Sequence, residues 1–144
     1  GTDGFPHVID VEIDVNKFIL AVLLNNFHQE RVRTSLVTTL PLSQQLSPIK
    51  CAVFPLSIID KKTKNCADEI YKSFSRLFET VIEEKGTLEM RMIQFYEAGV
   101  PYYVTVDPEL VEDGLYRLYD NKFGTKSELT QDEIAEYIVS KCEE

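Results

Sequence analysis

Hydrophobic and polar positions along this chain change period in a way that separates strands from helices. The clearest stretch is Gly99-Val100-Pro101-Tyr102-Tyr103-Val104-Thr105-Val106-Asp107. Glycine stops what precedes it and proline cannot continue a helix. The apolar, β-branched run that follows reads as a strand buried on both faces, at the centre of a mixed α/β sheet. Val8 to Ile13 alternates apolar with acidic residues and predicts a strand with one wet face. Asp14 is a good N-cap for a helix running to about His28. Carrying Val15, Phe18, Ile19, Leu20, Val22, Leu23, Leu24 and Phe27, that helix is apolar almost all round. Such helices are normally buried between elements. It reads either as a core helix or as one whose partner lies in an upstream domain or another subunit.

Gln29 to Ser47 is polar, interrupted by Pro41 and closed by Pro48, and reads as a linker. This divides the chain into a strand–helix unit over 1–28, a linker over 29–47 and a main domain over 48–144. Ile49 to Phe54 reads as the first strand of the main domain, stopped by Pro55. A Lys61-Lys62-Thr63-Lys64-Asn65 turn leads into a helix with Ala67, Ile70, Tyr71, Phe74, Leu77 and Phe78 at amphipathic spacing. Glu79 to Glu83 alternates as a short strand. A helix over Leu88 to Ala98 carries Leu88, Met92, Phe95 and Tyr96 on one side and stops at Gly99. Pro108 to Asp113 reads as an acidic loop, and Gly114 to Tyr119 as a strand with Leu115, Arg117 and Tyr119 on one face. Thr130 and Glu133 form a capping box for the last helix. From residue 49 the order β-α-β-α-β-β-α argues a mixed, mostly parallel sheet with helices on both faces.

Composition changes this picture little. The 144 residues are 44% hydrophobic and 27% charged, typical of a globular protein, with no apolar run long enough to predict a membrane span. The opening Gly1-Thr2-Asp3-Gly4 reads as the start of an excised segment or as a cloning remnant, and no targeting peptide is visible. Cys51, Cys66 and Cys142 are odd in number and widely spaced, which points to reduced thiols in an intracellular protein; cytoplasm and mitochondrion are not distinguished.

Charge changes it more. A net charge of −9 argues against tight non-specific binding to nucleic acid. Yet residues 15 to 64 hold seven basic residues against two acidic ones, which reads either as a basic face or as plain solvated surface. No Gly-rich phosphate loop, His–carboxylate pair or nucleophile elbow is present. The sequence therefore predicts no catalytic residue, cofactor or metal site. Most aromatics sit at core spacing. The exceptions are Tyr119 and Phe123, at or past a strand end beside Arg117 and Lys122, where stacking and phosphate contacts suit single-stranded nucleic acid.

The order of elements and several local motifs resemble the C-terminal, anticodon-binding domain of a class II aminoacyl-tRNA synthetase of the glycyl type. Leu46 to Ser57 resembles the first strand of that domain. Gly86 to Asp107 follows the family's spacing, with Arg91, Glu97, Gly99 and the strand that follows. Pro6-His7-Val8-Ile9-Asp10 resembles the start of motif 3 of the catalytic domain, so the resemblance implies a strand–helix remnant of that domain ahead of the main one. By family spacing the motif 3 glycines fall on Asp14 and Asn16, and the ATP-contacting arginine on Lys17. A carboxylate beside a triphosphate repels it, and lysine lacks arginine's planar fork, so these three are degenerate ATP-site positions. The Arg/Asp run after the fourth strand is replaced by Leu118-Tyr119-Asp120-Asn121-Lys122-Phe123.

The resemblance implies a non-catalytic segment that binds tRNA or another single-stranded nucleic acid. Arg91, Arg117, Tyr119, Lys122, Lys61, Lys62 and Lys64 are its candidate contacts. The alternative is a synthetase-derived accessory or interaction subunit without aminoacylation activity, of the kind found with mitochondrial DNA polymerase. In that case the apolar helix 15–28 would serve a protein partner or homodimer.

Overall fold

The computed structural model describes residues 9–32, 35–57 and 59–143. Pro6 to Val8, where the motif 3 resemblance begins, and Arg33 lie outside them. The elements are α1 (Val15–Asn26), β1 (His28–Val32), β2 (Ser35–Thr39), β3 (Cys51–Pro55), α2 (Lys61–Phe74), β4 (Thr80–Ile82) and α3 (Leu88–Glu97). They continue as β5 (Tyr102–Val106), α4 (Pro108–Val111), β6 (Tyr116–Asp120), β7 (Thr125–Leu129) and α5 (Gln131–Glu143).

Five strands form one sheet in the order β4-β3-β5-β6-β7, with β5 in the middle. All five β5 residues are buried, as the apolar run predicts. The expected mixed α/β architecture with helices on both faces is therefore present. The pairing is evenly divided rather than mostly parallel: β3 runs parallel to β4 and β5, whereas β5–β6 and β6–β7 are antiparallel.

Strand alternation sorts the core into two layers. Cys51, Val53, Tyr102, Val104, Val106 and Leu118 pack against α2 and α5 through Ala67, Ile70, Phe74, Ile134 and Ile138. On the other face, Ala52, Phe54, Val100 and Tyr103 pack against α3 through Leu88, Met92, Phe95 and Tyr96. Gly99 sits at φ +76, a left-handed turn that ends α3 and starts the chain into β5.

Several expectations need correction. Residues 9–14 form no strand. Their alternation has no neighbouring strand to pair with, and Ile9 and Val11 stay 92% and 76% exposed. The stretch read as a linker contains the β1–β2 hairpin, whose Val37 and Thr39 are buried and whose second strand lies against α3. Tertiary packing, not local pattern, orders that polar hairpin. Lys61 to Asn65 is not a turn but the first turn of α2, capped by Asp60, whose carboxylate accepts from the Lys62 and Thr63 amides at 3.2 and 3.0 Å. Pro108 to Val111 is a short helix opened by Asp107. The sequence reading missed β7 altogether.

α1 forms as expected: Asp14 Oδ1 accepts from the Asn16 and Lys17 amides at 3.0 and 3.2 Å. None of its residues is buried, and Phe18, Ile19, Leu20 and Leu24 are each at least half exposed. Among the described residues no helix is long and apolar enough to cross a membrane.

Candidate nucleic-acid interface

The face of the sheet that carries α3 has two halves. α3 covers β3 and β5. Beyond it, β6 and β7 turn Arg117, Tyr119, Lys126 and Glu128 to the same side, because Tyr119 belongs to the α3 layer and the register sets Arg117 opposite Glu128 and Tyr119 opposite Lys126. The opposite face of β6–β7 is closed by α5, where Leu118, Tyr116 and Leu129 meet Ile134 and Ile138. One face of this hairpin is thus anchored and the other is open.

The turn between the two strands is held from beneath. Asp120 is buried; its Oδ1 accepts from the Lys122 and Phe123 amides at 2.9 and 3.2 Å, and its Oδ2 accepts from the Tyr137 hydroxyl at 2.9 Å. Gly124 completes the turn at φ +62. Two lysine–aromatic pairs result. Lys122 Nζ lies 5.3 Å from the ring centre of Phe123, which is 59% exposed, and Lys126 Nζ lies 5.7 Å from that of Tyr119. Among the described residues neither lysine has an ion-pair partner.

Arg117 is more constrained. Its Nη2 donates to Glu128 Oε1 at 3.0 Å and its Nη1 to Asp107 Oδ2 at 3.4 Å. The Glu128 hydrogen bond pushes the guanidinium pKa up, so the charge is permanent but already neutralised locally.

The structure corrects the assignment of Arg91. It is only 5% exposed, and its Nη1 donates to the carbonyls of Pro55 and Glu83 at 3.1 and 2.8 Å. The guanidinium lies 5.4 Å from the Phe54 ring. Burial lowers its pKa, opposed by Glu83. Arg91 thus ties the ends of β3 and β4 to α3 and does not present its charge to a surface ligand. The sequence held the signal: Arg91 lies three residues after Leu88 and four before Phe95, on the apolar side of α3.

Lys61, Lys62 and Lys64 begin α2, which packs on the sheet face opposite Tyr119. Lys62 is paired with Glu112 at 3.0 Å and Lys64 with Glu84 at 3.5 Å. Lys50 spends its ammonium on the carbonyls of Gln44, Gln45 and Ser47. Lys50, Lys62 and Lys64 are therefore already engaged by partners close to them in the fold. Asp14 and Lys17 form a 3.7 Å pair at the start of α1, and with Asn16 they serve its cap. Among the described residues no cluster of three or more His, Cys, Asp or Glu is placed to hold a metal ion. Lys126 escaped the sequence reading with β7, although Asp120-Asn121-Lys122-Phe123-Gly124 is a hairpin-turn composition.

The fold resembles that of the RNA-binding domain of threonyl-tRNA synthetase from Cryptosporidium parvum. That structure superposes with a TM-score of 0.63 at 18% identity, covering 70% of this chain and 25% of that one. Residues 50–141 match the family model of the anticodon binding domain, and the chain belongs to that family. It is similar to the glycine–tRNA ligase of Clostridium tetani, 30% identical over 139 residues, which is 96% of this chain and 29% of that protein. The glycine–tRNA ligase of the archaeon Thermococcus gammatolerans is 31% identical over 116 residues, 80% of this chain and 20% of that protein. The chain thus spans less than a third of the length of these relatives.

Proposed function

We propose that this domain binds tRNA through the open β6–β7 half of the sheet, positioning the RNA without performing bond chemistry itself. The observation that carries this is the pair of lysine–aromatic contacts, Lys122 with Phe123 and Lys126 with Tyr119, on one rigidly held hairpin. Aromatic rings accept unstacked bases, and lysines without acidic partners accept phosphates. Arg117, held between Asp107 and Glu128, orients this surface more than it charges it. Family membership and similarity to glycine–tRNA ligases support the reading, and the matched relatives lend no support to a polymerase accessory subunit.

The test is a titration of labelled tRNA at two salt concentrations. Binding weakens with salt, and the triple change Tyr119→Ala, Lys122→Ala and Lys126→Ala weakens it about tenfold or more. Losing two phosphate contacts also reduces the steepness of the salt dependence. The exposed lysines contribute about 1 kcal/mol or less to stability, and the loss of the half-buried Tyr119 ring about 1–2 kcal/mol more, so the variant's fold is checked by a thermal melt before titration. Absence of binding at low salt by the folded chain, or unchanged affinity of the triple variant, overturns the proposal.

A further inference from the structure

The turn from Asn121 to Gly124 carries Lys122 and Phe123, both exposed, at the tip of a hairpin whose outer strand, β7, is a sheet edge. Exposed loop tips normally sample many conformations. This one is tied from two sides. At the α3–β5 turn, the Asn121 amide donates to the Pro101 carbonyl at 3.0 Å and Asn121 Nδ2 donates to the Val100 carbonyl at 2.7 Å. From the opposite face of the sheet, the Tyr137 hydroxyl on α5 donates to Asp120 Oδ2 at 2.9 Å, across 17 positions of sequence.

The second tie reaches the two exposed side chains. Asp120 Oδ1 accepts from the Lys122 and Phe123 amides at 2.9 and 3.2 Å, an Asx turn that sets the backbone from which both side chains project. An aspartate can make such a turn in many orientations; here its other carboxylate oxygen is fixed as well. Asp120 is buried, so Oδ2 needs a donor, and Tyr137 supplies it. The Tyr137 ring is itself located by the core: it meets the fully buried Tyr102 edge-on, with ring centres 5.9 Å apart. A cavity of about 60 Å³ lies between this end of the hairpin and α5, lined by Leu118, Asp120, Thr125, Ser127, Leu129 and Tyr137. Apolar packing is incomplete there, so the Tyr137–Asp120 bond carries the connection.

We infer that Tyr137 and Asp120 are positioning residues for RNA binding. Without touching RNA, they hold the β6–β7 turn in the conformation that presents Lys122 and Phe123, so α5 presets the binding surface from the far side of the sheet. A turn ordered before the ligand arrives lowers the ordering cost of binding. A bond that merely stabilised the fold would leave the affinity of the folded protein unaltered. The inference rests on the proposed tRNA contact of this turn.

The experiment measures amide hydrogen exchange and labelled-tRNA affinity on the same folded variants of the 144-residue chain. Tyr137→Phe, which removes one hydroxyl, speeds exchange at Lys122 and Phe123 about tenfold relative to Val104 in β5 and weakens tRNA about fivefold. Asp120→Asn keeps an acceptor for both amides and an N–H for the Tyr137 oxygen, and holds affinity within about twofold, whereas Asp120→Ala loses about tenfold. In a Lys122→Ala, Phe123→Ala background, Tyr137→Phe causes no further loss, because the groups it positions are gone. Should Tyr137→Phe fold poorly, the pair Asp120→Asn with Tyr137→Phe, which buries no charge, gives the same faster exchange and weaker binding. Unchanged exchange at Lys122 and Phe123 overturns the inference, as does faster exchange with the parent's tRNA affinity. A further loss in the double-alanine background also overturns it. If the parent chain binds no tRNA while exchange still quickens, the proposed function falls and the hold of Tyr137 on the turn stands.

Discussion

The two halves of one sheet face use the same residue types to opposite ends. Under α3, Phe54, Tyr103 and Arg91 are buried, stacked and hydrogen-bonded: the Phe54 and Tyr103 rings lie 5.4 Å apart, and Arg91 satisfies two strand-end carbonyls. On β6–β7 the corresponding aromatics and cations are Tyr119, half-buried at the edge of the α3 layer, and Phe123, Lys122 and Lys126, which are exposed. The chemistry of a side chain does not decide whether it builds or binds. The cover does. A helix over one half of the sheet turns arginine and tyrosine into structure, whereas on the other half Lys122, Phe123 and Lys126 stay exposed, as the proposed RNA contact requires.

Substitutions in the covered half should have the largest effect. Phe54→Ala leaves a cavity between α3 and the sheet and costs about 3–5 kcal/mol. A thermal melt detects it, and a loss below about 1 kcal/mol would mean that α3 does not close this half. Arg91→Met follows, at about 1.5–3 kcal/mol, because the Pro55 and Glu83 carbonyls lose a charged donor. Its tRNA affinity, measured with the protein folded, stays that of the parent; a selective loss of binding would move Arg91 back among the RNA contacts. The smallest effect falls on the exposed helix. Leu24 is 68% exposed, so Leu24→Ser changes the stability of this chain by about 0.5 kcal/mol or less in the same melt. A larger drop would show that α1 is part of the core.

Where sequence pattern and burial coincide, the fold was legible. β5, the Gly99 stop, the Asp14 cap and the Thr130–Glu133 capping box all form as their residues imply, with Glu133 Oε2 accepting from the Thr130 amide at 2.8 Å. What was not legible depends on neighbours. β7 reads Thr-Lys-Ser-Glu-Leu, too polar to announce a strand, and exists because β6 supplies its partner. Residues 9–14 show the converse, an alternation with nothing to pair with. Of the proposed RNA contacts, Lys122 and Tyr119 were visible from their position at or past a strand end. Arg91 was misplaced because an arginine on an apolar helix stripe was read for its charge rather than its position, and Lys126 was lost with its strand.

The central claim is that RNA lies on the open half and not on the lysine-rich start of α2. Amide chemical-shift mapping during titration with a tRNA anticodon stem–loop tests it most directly. The account predicts the largest changes from Arg117 through Glu128, with Lys61 to Lys64 nearly still. Changes concentrated at Lys61 to Lys64, with Tyr119 to Lys126 unmoved, would contradict it.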